Sequence, residues 1–515
     1  MRPLRALLFP FFHRVTADAL PNNTGQSVLS ASKSIKHRVK KDIMTAKIMP
    51  RFSFRLPGAA ALAGAAVLCG LASAPAGAAS AFPQVAFTQY TLPNGLRVIL
   101  SPDTRPDAPP VIAANVTYDV GSRSERPGRS GFAHLFEHMM FQGSENVAKT
   151  EHIRLIESNG GSMNGTTNQD RTNFFESLPA NQLALALFLE ADRMRALDIS
   201  QANLDNQRQV VEEEKRQSYD NQPYGHTYET LLDEAYSGFA YKHTTIGSMA
   251  DLDAASLDDV RAFHSQYYEP ANAVLTVTGR FSGGEVRTLI SRYFGPIKPG
   301  TASPPTAFSE PAVYPGERRK TLSDALARQP QYVAGYVTVP GNAPDYYALT
   351  VLGNILSSGR TSRLYRALVE KDMAVGVGAG PEDSTGPGLF TVEASLPPNG
   401  DVAAVEAVLN QEIARVQTGG VTADEVATAK VEERVGTVRR LQTALDRAQQ
   451  LGLYAVQFHD PNRINTLLVD LQKVTPADVQ RVAKKYLVPA NRAVVITLPV
   501  GAAPAGAAPA GAATQ

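Results

Sequence analysis

Gly131-Phe132-Ala133-His134-Leu135-Phe136-Glu137-His138-Met139-Met140 is the stretch that decides how this chain is read. Its apolar members, Phe132, Ala133, Leu135, Phe136, Met139 and Met140, predict a helix buried over most of its surface. Residues four apart share a helix face, so His134 and His138 can turn both imidazoles toward one ion while Glu137 points beside them. A purely structural reading, a buried polar cluster, would have to supply partners, because burying such groups bare costs several kcal/mol. The apolar neighbours offer none, and a metal supplies them directly. The pattern His-x-x-Glu-His therefore reads as two metal ligands and a general base within one helical turn.

A catalytic zinc site usually takes three protein ligands and leaves its fourth position to water, so a third ligand is expected elsewhere. The best candidate stretch is the charged, helical run from Asn206 to Asp220, with Glu212, Glu213 and Glu214 in succession. Consecutive helical residues splay about 100° apart, so only one of the three need face an ion. Acid runs on helices are more often wet surface than ligands, and the residues alone leave the choice open. The other histidines, His152, His226, His243, His264 and His459, show no paired spacing and are expected at the surface or in packing.

With His-x-x-Glu-His followed 76 residues later by Glu214, the chain resembles the pitrilysin family of inverzincin metallopeptidases, which includes insulin-degrading enzyme and the mitochondrial processing peptidases. The resemblance extends to Leu92-Pro93-Asn94-Gly95-Leu96-Arg97-Val98-Ile99 as an opening strand, to residues 160–172 as a substrate-side strand, and to residues 210–219 as the ligand helix. It implies one Zn2+ held by His134, His138 and Glu214, with Glu137 as base. It also implies that Asn164, Gly165 and Thr166 lie along an edge that binds substrate, consistent with a polar strand containing a glycine. One departure is Gln207, at a position where some members carry a Glu behind the ligands.

The resemblance further implies that two similar halves clasp into a chamber, and that the second half contributes an Arg and a Tyr, seven apart, that hold the substrate carbonyl. Here those positions fall at Val369 and near Val375, neither of which can donate a hydrogen bond from its side chain. Arg363, Tyr365 and Arg366 are the nearby donors. Losing a transition-state donor of this kind costs about a hundred- to a thousandfold in rate. The expectation is therefore a zinc endopeptidase subunit whose partner, a homologous chain, carries the Arg/Tyr pair; the alternative is a non-catalytic peptide-binding or scaffold subunit.

Around the motif the chain contains itself twice. Ser256 to Val260 followed by Tyr268 to Val274 recurs as Thr475 to Val479 followed by Leu487 to Ala493, and Ser177-Leu178-Pro179 recurs as Ser395-Leu396-Pro397. Ser256 and Thr475 each precede an acid by three positions, a helix-capping pattern. Alternating runs at 111–118 and 332–339 predict strands, and residues 181–196 and 402–416 predict helices. The fold class expected is α+β: two homologous domains, each an antiparallel-rich sheet packed against helices, together forming one half of a clam shell. A shift of about 218 carries the histidines into Leu352 to Ser357, where no ligand survives.

At 515 residues the chain exceeds one ordinary core, and its net charge of +1 argues against a nucleic-acid binder. A basic start, an apolar core from Gly58 to Ala72 and small residues up to Ala81 resemble a secretory signal, implying export, most simply to a bacterial periplasm, with an organelle transit sequence as the alternative. The only cysteine, Cys69, lies inside that core. The expected divisions are a doubtful extension (1–48), a signal (49–81), the zinc domain (82–297), a linker (298–317), a homologous domain without zinc (318–500) and a disordered tail (501–515). No stable membrane span is expected after the signal.

Overall fold

The computed structural model describes residues 84–300, Phe308, Tyr314 and 316–501. The expected signal and extension, Cys69, most of the tail and part of the linker lie outside the described residues. Two mixed sheets form the frame. The first contains β1 (Thr88–Thr91), β2 (Arg97–Pro102), β3 (Val111–Tyr118), β4 (Ser162–Thr167), β5 (Thr172–Pro179) and β6 (Ala273–Gly279), in the spatial order β1-β2-β6-β3-β5-β4. The second contains β7 (Arg318–Asp324), β8 (Gln331–Val337), β9 (Gly376–Pro381), β10 (Leu389–Ser395) and β11 (Arg492–Pro499), ordered β7-β11-β8-β10-β9. Without β1, the two orders are the same walk through the repeat. Even the single parallel pair recurs, β2 beside β6 and β7 beside β11, with all other pairs antiparallel.

The capping signals of the repeat are realised. Ser256 accepts from the Asp259 amide while Asp259 closes the box, and Thr475 with Asp478 does the same in the second copy. Each helix runs into a Pro-Ala-Asn turn, 270–272 or 489–491, that delivers the central strand β6 or β11. Helices α1 (Phe132–Met139), α2 (Glu151–Ser158) and α3 (Leu183–Ala196) cover one face of the first sheet, burying Phe136, Met139, Phe174, Leu178 and Leu187 in one core.

The other face of each sheet is covered by a helix from the opposite half. α5 (Thr227–Ala235) follows first-half residues in the chain, yet packs on β11, β8 and β7 through Leu231, Leu232 and Ala235. The helix Ala444–Gln457, at the matching place in the second copy, packs on β3, β6 and β5 through Leu451, Ala455 and Val456. Matching polar contacts pin both: Thr278 Oγ1 donates to the Ala444 carbonyl at 2.5 Å, and its counterpart Thr497 meets Thr227 Oγ1 at 2.7 Å. Helix and sheet approach closely at Gly452, where a Cβ would stand 2.5 Å from Thr117 Oγ1 and 2.6 Å from Asn115 Nδ2.

This exchange shows in the burial of β3. The alternating run 111–118 forms the expected strand β3, but the alternation does not mark an exposed face: 112–118 are buried throughout, because both faces of β3 are covered. A second tie between the halves is Asp170, in the turn between β4 and β5. Its carboxylate accepts from Arg123 and Tyr241 on its own side and from the Thr385 amide and Gln457 Nε2 across the junction, at 2.6–3.0 Å. Among the described residues no helix is long and apolar enough to cross a membrane.

Candidate metal centre

The predicted helix forms as α1, and its start is set by an anion. Glu125 accepts from the amides of Gly131 and Ala133 at 2.9 and 2.7 Å, where the unpaired N–H groups of a helix start favour negative charge. His243 Nε2 lies 2.8 Å from the same carboxylate. Burial would lower the His243 pKa, but the hydrogen bond and charge of Glu125 outweigh it and raise the value above the ordinary one.

Glu214 comes from α4 (Gln201–Lys215), which packs against α1. Leu204, Gln207 and Val211 recur at helical spacing and are buried, and Glu214 continues that stripe toward α1. The run of acids therefore sorts by helix phase. Glu213 is exposed and bonds to Arg216 and Gln217, and Glu212 pairs with Arg216 at 3.5 Å. Only Glu214 reaches the histidines, its Oε2 lying 3.7 Å from His134 Nε2 and 3.3 Å from His138 Nε2. The ligand atoms of all three lie within 4.8 Å of one another. Two imidazoles and one carboxylate at this spacing, partly open to solvent, are a donor set that fits a divalent ion of the zinc type with a position left for water. Gln207 is hydrogen-bonded to His138 from behind, in the place where the resemblance leads one to look for a Glu.

Glu137 is buried beside these donors, and burial raises its pKa above the usual carboxylate value. Thr167 donates to its Oε2 at 2.6 Å, fixing the carboxylate against β4. Gly165 is what lets that strand lie so close: a Cβ there would stand 3.0 Å from Glu137 Cγ and 3.1 Å from its Oε1. β4 is the outermost strand, paired only with β5, so one edge is open. Of the residues expected to bind substrate, Asn164 Oδ1 accepts from the Gly165 amide, and the Thr166 hydroxyl is engaged by Asn173 and Arg171. Their side chains are committed, and part of the main chain is engaged too, since Arg171 donates to the Thr166 carbonyl at 2.7 Å.

Val369 is half-buried against the second core and Val375 is exposed, with its amide bonded to the Ser395 carbonyl. Arg363 is not a free substitute donor: Glu425 grips it at 2.7 and 2.9 Å, and it donates to the Gly420 carbonyl. Residue reading missed Thr167, Glu125 and His243. Thr167 stands inside the stretch quoted for the substrate-side strand and could have been found there; nothing in the spacing of Glu125 or His243 announces their pairing.

Two long, matching α+β halves with a His-His-Glu donor set and a neighbouring buried carboxylate define a fold and site of the metallopeptidase kind. Residues 102–248 match the family model described as insulinase, peptidase family M16, and residues 254–432 match the M16 inactive domain, so together the models span more than half of the chain. The chain belongs to peptidase family M16. It is 28% identical over 414 residues to zinc protease PqqE of Helicobacter pylori, covering 79% of this chain and 92% of that one. An uncharacterized zinc protease of Streptomyces coelicolor is 25% identical over 403 residues, 77% of this chain and 86% of that one. The crystal structure of a protease from Helicobacter pylori superposes with a TM-score of 0.77 at 28% identity, covering 81% of this chain and all of that one.

Proposed function

We propose that this chain is the zinc-bearing subunit of a two-chain endopeptidase that hydrolyses peptides or unfolded polypeptides. His134, His138 and Glu214 hold the ion, Glu137 is the general base, and the open edge of β4 from Asn164 to Thr166 receives the substrate. The observation that carries this reading is the convergence of three donors with a carboxylate that Thr167 clamps beside an unpaired strand edge. A zinc ion held by His134, His138 and Glu214 would supply Lewis acidity for a peptide carbonyl and for the attacking water. Glu137 accepts the proton of the attacking water and passes it to the leaving amine, a transfer that needs a carboxylate within hydrogen-bond reach. An extended peptide added to β4 is gripped through its backbone. With the Asn164 and Thr166 side chains engaged within the protein, this edge selects for extended, unfolded chains more than for particular residues.

The second chain is called for by Val369 and Val375, which leave the carbonyl-holding role empty, and by the occupation of Arg363. Fold comparison is consistent with it. The first half of the periplasmic protease PqqL from Escherichia coli has this fold, with a TM-score of 0.66, and the present chain covers 93% of that half but 48% of the full PqqL chain. A periplasmic address accords with the signal-like segment and is checked by cell fractionation.

The decisive experiment is Glu137→Gln assayed on an unfolded polypeptide with metal content measured in parallel. Turnover should fall about 10²- to 10⁴-fold with metal retained; undiminished turnover removes Glu137 from the role of base. Full activity of the isolated chain, with no second subunit, overturns the two-chain part of the reading.

A further inference from the structure

A second group of ligand-type side chains lies in the first half, away from the α1–α4 site. His152 from α2, Glu176 from β5 and Glu190 from α3 bring one ligand atom each within 4.8 Å of one another. They are sealed, at 6, 0 and 1% exposed respectively. His152 Nε2 stands 3.7 Å from Glu176 Oε2, the separation also found between His134 and Glu214.

The group is unsatisfied as it stands. His152 Nε2 meets no hydrogen-bond partner, and Glu176 meets no donor, facing only the carboxyl of Glu190. Buried polar atoms left without a partner are costly, the more so when charged. Arg193 holds Glu190 with Nε at 3.0 Å and with Nη2, while its guanidinium stacks 4.4 Å from the Phe174 ring. One guanidinium balances one of the two carboxylates, so with both ionised one negative charge has no counterpart. Burial pushes Glu176 up to about 7 and Glu190 up to about 8, and pushes His152 down to about 3, so the imidazole stays neutral with a ring nitrogen available for a cation.

Either a proton or a metal can make up the missing positive charge. A proton between the two carboxyls satisfies their mutual contact and leaves His152 Nε2 with nothing, at a distance too long for a hydrogen bond to Glu176. A divalent cation engages all three at once. We infer that His152, Glu176 and Glu190 form a second, buried metal site that takes a divalent ion accepting mixed imidazole and carboxylate donors, of the zinc or manganese type. With all three donors buried, the ion is structural: it ties α2 and α3 to β5, beside the strand proposed to receive substrate. Arg193 positions Glu190 as a ligand.

This inference is independent of the proposed catalytic ion, and metal counting on the full-length protein separates them. The wild-type chain, purified without chelator, should hold about two ions, and His134→Ala/His138→Ala should keep about one. Adding His152→Phe to that variant should remove it. Because the double variant alters only the outer site, its metal content decides the question even if changes at His152 fail to fold. A second readout is Co2+ loading of the double variant, where a visible d–d absorption band should appear. Wild-type protein with one ion and the double variant with none overturns the inference, and the buried pair then shares a proton. Wild type and double variant with the same single ion overturns the catalytic assignment instead.

Discussion

At the scale of single residues, the site depends on two neighbours of Glu137 that do no chemistry. Gly165→Ala places a methyl 3.0–3.1 Å from the Glu137 side chain, tighter than ordinary contact, so the carboxylate or the strand must move. Displacements of this size cost on the order of 10²-fold when they reach a reacting group, so kcat should fall by roughly ten- to a hundredfold with the fold intact, read by steady-state kinetics beside a thermal melt. An unchanged kcat would show that Glu137 tolerates the shift. Thr167→Val removes the hydroxyl that holds Glu137 and should lower kcat while leaving metal content unchanged. The local motif was legible because its residues are adjacent in sequence: His134, Glu137 and His138 need only a helix to converge. Glu214 was chosen by resemblance, although Leu204 and Val211 already mark the buried stripe of α4 that it extends. His152, Glu176 and Glu190 could not be read, since each is a single residue on a separate element and only tertiary packing unites them.

At the scale of elements, α1 is positioned through its first turn. Glu125→Ala leaves the Gly131 and Ala133 amides and His243 without their acceptor, and should cost about 1–3 kcal/mol of stability in a denaturant titration. The His243 partner gives a pH dependence of definite sign. Its folded pKa is raised relative to the unfolded imidazole, so its contribution is complete below the ordinary value of 6.5 and is lost as pH rises through the higher folded value. The melting temperature of the wild type should therefore fall relative to His243→Gln as pH climbs from about 6.5 into the alkaline range. Parallel curves for the two proteins would remove His243 from that role. Element boundaries followed the residues where caps are local, as at Ser256 and Thr475. They could not reveal which sheet α5 and the helix Ala444–Gln457 cover, because amphipathic spacing tells that a face is buried and is silent about its partner.

At the scale of the molecule, the repeat did not produce two self-sufficient domains. Gly452→Val forces side-chain atoms into a space bounded by Thr117 and Asn115 and should cost about 1–3 kcal/mol, seen as a single cooperative transition at lower temperature. Asp170→Ala removes the acceptor shared by Arg123, Tyr241, Thr385 and Gln457, and breaking a buried charged contact of this kind costs about 3–5 kcal/mol. Separate melting of the two halves in either variant would contradict the interlocked arrangement.

The exchanged helices also constrain where movement can occur. A bivalve hinged between its two sheets would have to peel α5 from β11 and the helix Ala444–Gln457 from β3, baring both hydrophobic floors, so this chain behaves as one rigid jaw. On the proposed two-chain reading a bulky polypeptide is admitted by parting this jaw from its partner, and a chain severed between residues 300 and 316 should regain solubility only when both pieces are made together and swap their helices as they fold.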